Sequence, residues 1–285
     1  MTELVAALLD PDLPFLRYAL FTGLAASIAF GVIGSFVVVR RISYIAGAIS
    51  HCVLGGIGAG LYLQNVGGIS WFTPVTGALV AALLAAVLLT VISLRSRERE
   101  DSVISAVWAG GMAVGLLFIA RTPGYFDPMS YLFGNILLIT RNDLYLVLGL
   151  DAVILLIVGL LYNKFLALCF DEEFARLRGL HTHWLYLLLL CLIAVTVVLL
   201  VRVVGIIMVI ALLTLPAAVA GSFARSIISM MGFATLICAL CVCAGLAISY
   251  QFDLPTGSTI ILFVAGLYIC VSGSSGLKKS IRKPS

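Results

Sequence analysis

Three histidines, seven cysteines and thirteen acidic residues are the groups in this 285-residue chain best suited to bind a cation or move a proton. His51 stands apart from the rest. It is the ninth residue of an apolar run that begins at Ser43, and no other Asp, Glu, Lys, Arg or His interrupts that run. At about 1.5 Å per helical residue the imidazole sits ~12 Å along the helix, near the middle of a ~30 Å hydrocarbon layer. A titratable, metal-capable side chain is expensive at that depth and therefore marks a candidate functional site. Gly47, Gly55 and Gly58 flank it at spacings of four, four and three, which puts all four residues on one helix face. Small residues let another backbone approach closely, so this face is expected to meet protein or a pathway rather than lipid. A neutral imidazole donating one hydrogen bond between helices is the alternative.

Asp151 is the second deep ionisable group, about eight residues into its own apolar run. It reads either as a cation-path ligand or proton carrier, or as a protonated Asp bonded between helices. His181 and His183 are two apart, a poor spacing for one metal on a helix, and read as interfacial residues. Cys238, Cys241 and Cys243 resemble a thiolate cluster, but in a helix 243 points away from the other two. The seven cysteines, odd in number and mostly inside apolar runs, read as packing residues.

The elements that must position these groups are membrane helices. The chain is 62% hydrophobic and 11% charged, against about 25% charged in soluble domains. We read an all-α polytopic bundle filling a single domain over 1–285, with spans at 18–39, 43–63, 72–94, 103–120, 144–162, 184–201, 203–221, 227–250 and 258–273. Pro216 is expected to kink or break the seventh. The N-terminal stretch has no basic n-region, so the first span is expected to target the chain. An outside N-terminus and a cytoplasmic C-terminus put 13 of the 17 basic residues inside and leave Arg17, Arg121, Arg141 and Arg202 outside. The net charge of +4, with most basic residues in loops, gives no footing for nucleic acid.

Two loops exceed a turn. Residues 121–142 hold an apolar piece too short to span, expected as a re-entrant or interfacial helix. Residues 164–183 hold Phe170, Phe174 and Leu177 at helical spacing, with Asp171, Glu172, Glu173, Arg176 and Arg178 on other faces, Ala175 between them and Gly179 placed to end the helix. Such a helix lies on the bilayer or docks its stripe into a partner's groove. No G-x-x-x-x-G-K-[ST], H-E-x-x-H or G-x-S-x-G occurs, so no enzyme is expected here.

The segment SYIAGAISHCVL from Ser43 to Leu54, preceded by VVVRR, carries a resemblance. So do SYLFGNIL at 130–137, FDEEFARLRGL at 170–180, RVVGIIMVIALLTLPAAVA at 202–220 and LAISYQFDLPTGSTIIL at 246–262. Together they resemble the integral-membrane permease of zinc/manganese/iron-type ABC uptake transporters, from about residue 18 to 272. The resemblance implies a bacterial cytoplasmic-membrane subunit with no bound cofactor and a divalent metal ion as substrate. It further implies cytoplasmic P-loop ATPase subunits, an extracytoplasmic metal-binding protein and a second permease copy or paralogue. In that family an Asp and a His of the second helix contact the ion; His51 matches the His, while Gly47 stands at the Asp position. A carboxylate at 47 would lie one turn from His51, within reach of a shared cation. The 170–180 segment matches the coupling helix. An ABC permease for an iron chelate or cobalamin, or an ATP-independent metal channel or secondary carrier, are the alternative readings.

Overall fold

The computed structural model describes residues 14–95, 100–124, 128–134 and 139–281. Arg97, Arg99, Arg282 and Lys283, four of the basic residues counted inside, and 135–138 of the 121–142 loop lie outside the described residues. Every regular element described is helical: α1 (Pro14–Val39), α2 (Ser43–Asn65), α3 (Pro74–Arg95), α4 (Glu100–Arg121), α5 (Pro128–Phe133), α6 (Arg141–Phe170), α7 (Glu172–Leu177), α8 (Thr182–Val204), α9 (Ile206–Gly221), α10 (Ile227–Phe252) and α11 (Thr256–Ile281). Eight of these are long and apolar enough to cross a membrane. The chain is a polytopic helical membrane protein.

Several boundaries differ from the sequence expectation, and three of the differences have a clear local reason. The seventh span begins at Ile206, because Gly205 breaks the chain with φ 82° and ψ 161°. The resulting 16-residue α9, ~24 Å long, is shorter than the ~30 Å layer and runs through Pro216 without interruption. α6 extends eight residues past the expected end at 162. Asn163 and Lys164 interrupt the apolar run but not the helix, and Phe165 and Leu168 beyond them are fully buried. In the 164–183 loop, Phe170 belongs to α6 and not to the short helix. Asp171 has extended backbone (φ −152°) and its carboxylate accepts the Phe174 N–H at 2.8 Å, so α7 starts afresh at Glu172. The stripe Phe170–Phe174–Leu177 is therefore not one helix face. Gly179 does take the left-handed conformation, φ 78°, just after α7.

The described residues fall into two compact units. One comprises those of Met1–Val38, Asn135–Val153 and Ala211–Ser285. In it α1 meets α10 where Gly31 abuts Thr235, and α9 where Gly34 abuts the Leu213 carbonyl. α10 and α11 join through Asp253 (φ 51°), and the Ser249 and Thr256 hydroxyls bond at 2.8 Å across that turn. The other unit comprises Val39–Gly134 and Ile154–Ile210. At its centre is α2, 83% buried over its spanning window, whereas α4 is only 17% buried and presents its outer side to the surroundings.

Glycines set the spacing around α2. Gly56 lies against the Gly77 carbonyl of α3, and Gly60 against Thr73 and Pro74, so α2 and α3 run antiparallel. Gly55 and Gly58 lie against the Gly111 and Gly115 carbonyls of α4 in ascending order, so α2 and α4 run parallel. Elsewhere in this unit Gly134 (φ 67°) and Gly205 (φ 82°) face each other backbone to backbone, and neither conformation nor space admits a Cβ.

This packing predicts a sharp contrast between two glycines of the same helix pair. Gly58→Val should destabilise the detergent-solubilised chain by about 1–3 kcal/mol through overpacking against Gly115. Gly110→Ala, where a Cβ meets nothing within 4 Å, should leave the thermal midpoint unchanged or slightly raised. Equal midpoints for the two variants would refute the close approach.

Candidate functional site

The site is built on the parallel α2–α4 seam. Beyond His51 the two backbones touch through glycines; before it they diverge enough to admit one large side chain. That side chain is Trp108 of α4. Its ring stacks on the His51 imidazole with centroids 4.5 Å apart and planes 25° from parallel. Tyr44, two turns before His51, also packs on Trp108, with centroids 5.5 Å apart and planes tilted by 47°. On the same seam Cys52 Sγ lies 3.5 Å from the Val107 carbonyl, and Tyr62 meets Phe118 at 5.5 Å.

His51 is 8% exposed, and its Nδ1 is buried with no hydrogen-bond partner. The interhelical hydrogen bond weighed from the sequence is thus not what holds this nitrogen. Gly47 meets the indole as well: a Cβ there would lie 2.5 Å from Trp108 Cζ3. The carboxylate that position 47 could have carried one turn from His51 has no room, because an indole occupies the place. Alongside, an apolar groove of about 400 Å³ runs between α2, α3 and α4, lined among others by Cys52, Gly55, Val107 and Gly111.

Asp151 lies in the other unit, on α6, 3% exposed. It faces the Ala29 backbone of α1, yet neither carboxyl oxygen reaches hydrogen-bond geometry with any group. Thr22, two turns from Ala29 on α1, likewise has a buried hydroxyl without a partner. Cys238 and Cys241 are buried and Cys243 half-buried. Among the described residues no group of three or more His, Cys, Asp or Glu side chains is arranged to hold a metal ion. His181 and His183 sit at the start of α8.

The α7 segment is tied to the base of α2 by one arginine. Arg40 follows α1 and precedes α2 by three residues; its Nη2 donates to Glu172 at 2.9 Å and its Nη1 to the Leu168 carbonyl at 2.9 Å. The guanidinium also lies over the Tyr186 ring of α8, 5.4 Å from its centroid. Arg176 adds a looser contact to Glu172 at 3.7 Å. Within α7 Ala175 is fully buried, while Phe170, Phe174 and Leu177 are exposed, Leu177 by 88%. Arg178 covers one face of Phe174 at 5.0 Å. Sequence reasoning passed over Trp108 and the Arg40 hub: the first is a lone aromatic in an apolar helix, and the second pairs with a residue 132 positions away.

The chain has clear relatives. A family model described as the ABC 3 transport family matches residues 12–274. The membrane protein slr2045 of Synechocystis is 42% identical over 256 residues, covering 90% of this chain and 89% of that one. The manganese import system permease protein ScaB of Streptococcus parasanguinis is 34% identical over 255 residues, 90% and 89% of the two chains. Among solved structures, PsaBC from Streptococcus pneumoniae in complex with Fab superposes with a TM-score of 0.83 at 31% identity, covering 95% of this chain and 94% of that one. With the family model matched over residues 12–274, this chain belongs to the ABC 3 transport family.

Proposed function

We propose that the chain is the membrane-spanning permease subunit of a bacterial ABC importer that carries a divalent transition-metal ion into the cytoplasm. The observation that carries the reading is the near-full-length match to the ABC 3 transport family and to a protein named as a manganese import permease. His51, buried mid-helix with an unpartnered Nδ1, is the residue we assign to the ion's path. Borderline imidazole suits manganese, iron or zinc, so selectivity rests on the extracytoplasmic protein that delivers the ion. Asp151, buried without a partner in the other unit, is a second candidate on the path.

ATP is hydrolysed by separate P-loop subunits on the cytoplasmic side, since the chain has no phosphate-binding loop of its own. They dock on α7 and its flanks, where Phe170, Phe174 and Leu177 offer apolar area beside Glu173 and Arg176. The orientation follows the basic residues: N-terminus outside, C-terminus and α7 in the cytoplasm. A push on α7 passes through Glu172 to Arg40, and from there to the start of α2, two turns below His51. A second copy or paralogue completes the path.

Two outcomes test this reading. In cells whose own gene is replaced by the variant, His51→Ala should lower Mn²⁺ uptake on the order of tenfold or more while membrane-inserted protein stays at wild-type level. Uptake within twofold of wild type would remove His51 from the path.

The coupling route is tested by separating docking from transmission. Phe174→Asp should abolish co-purification of the ATPase subunits and uptake together. Arg40→Met should retain the ATPase but uncouple it, with hydrolysis persisting and uptake lost, at a stability cost of about 1–3 kcal/mol for the lost charged hydrogen bonds. An Arg40→Met complex that transports normally would sever the link from α7 to α2.

A further inference from the structure

A metal-ligating histidine ordinarily has its second nitrogen tied to a carboxylate or carbonyl, which fixes the ring's plane and tautomer. His51 has no such tie at Nδ1, and the Val107 carbonyl on the facing helix lies by Cys52 Sγ at 3.5 Å. What restrains the imidazole is the indole lying on its face at 4.5 Å. We infer that Trp108 is the positioning residue for His51, orienting the ring by stacking, and that Gly47 lacks a side chain so that the indole can reach it. The inference rests on the assignment of His51 to the ion's path.

The geometry carries this in three steps. A stacked ring covers the π-face of the imidazole and leaves its in-plane lone pairs uncovered, so the stack orients a ligand without blocking it. Offset stacking between aromatic rings at this separation is attractive, and burial keeps water from competing for the contact. Tyr44 backs the indole on one side and the Gly47 backbone bounds it on another, so the indole is itself held between two residues of α2. Remove the indole, or place a Cβ at 47 where it would lie 2.5 Å from Cζ3, and the imidazole loses the ring stacked on its face. A flat side chain at 108 preserves the restraint; a branched aliphatic one fills volume without supplying a face.

The contact is first read without transport. In a full-length chain carrying Trp71→Phe and Trp184→Phe, Trp108 is the sole remaining tryptophan. Its emission should change when His51→Ala is added. Function is then read as Mn²⁺ uptake in cells. Trp108→Phe should stay within about threefold of wild type, whereas Trp108→Leu and Gly47→Ala should each fall by about 10–100-fold, the range for losing a ligand's supporting contact. Because both act on one contact, Gly47→Ala with Trp108→Leu should fall no further than the lower single variant. Wild-type uptake by Trp108→Leu, equal loss in Trp108→Phe and Trp108→Leu, or an emission blind to His51 would each overturn the assignment. If Gly47→Ala fails to accumulate in the membrane, the Phe and Leu variants still decide it. Normal uptake by His51→Ala would instead bring down the path itself, a result distinct from failure of the stack.

Discussion

The close approach of α2 to α3 and α4 is the constraint on which the site depends. Gly55, Gly56, Gly58 and Gly60 set α2 backbone directly against the carbonyls of Gly111, Gly77, Gly115 and Thr73. In a bilayer no hydrophobic force draws apolar helices together, so such contacts must come from van der Waals fit between small residues. They bury α2 among its neighbours and so keep an imidazole out of lipid. They also set the height at which the α2–α4 seam stops being glycine against glycine. Below that height, at Gly47 and His51, the gap is one indole wide.

At the other end of α2, a single guanidinium gathers three elements. Arg40 bonds the last turns of α6, pairs with α7 and lies over a ring of α8. Its partner carboxylate and its own side chain are both partly buried, which limits screening by salt relative to a surface pair. Phe165 and Leu168 continue α6 past the polar pair Asn163–Lys164, so the helix reaches the arginine as rigid structure and not as loop. α7 itself is short, capped by Asp171 and stopped by Gly179, with its one buried residue, Ala175, seated inward. A six-residue helix held at one side by an ion pair can move as a unit with that ion pair.

Two buried polar side chains of the other unit have no such arrangement. Asp151 and the Thr22 hydroxyl are enclosed and unpartnered, which in a membrane protein is costly unless a state of the protein or a passing cation satisfies them. The buried cysteines, by contrast, sit as small packing residues: Cys238 and Cys241 lie in the interior of α10.

The helical, membrane-spanning character of the apolar runs, the burial of His51, the small-residue face around it and the glycine that ends the segment after 170 were legible in the order of residues. Hydropathy and helical period act over neighbours in the chain, and a membrane leaves the backbone few other choices than helix. The sequence also carried Gly205 and Gly134 inside its motifs, but a positive φ at each becomes visible only where they meet. The end of α6 was misplaced for the same reason: two polar residues end an apolar run, while packing of Phe165 and Leu168 decides that the helix continues. What only the tertiary structure decided is which side chain fills the gap at Gly47. Trp108 stands 61 residues from Gly47. A pairing at that separation obeys no local period; it is fixed by the register of two parallel helices, which the contacts of Gly55 with Gly111 and Gly58 with Gly115 set.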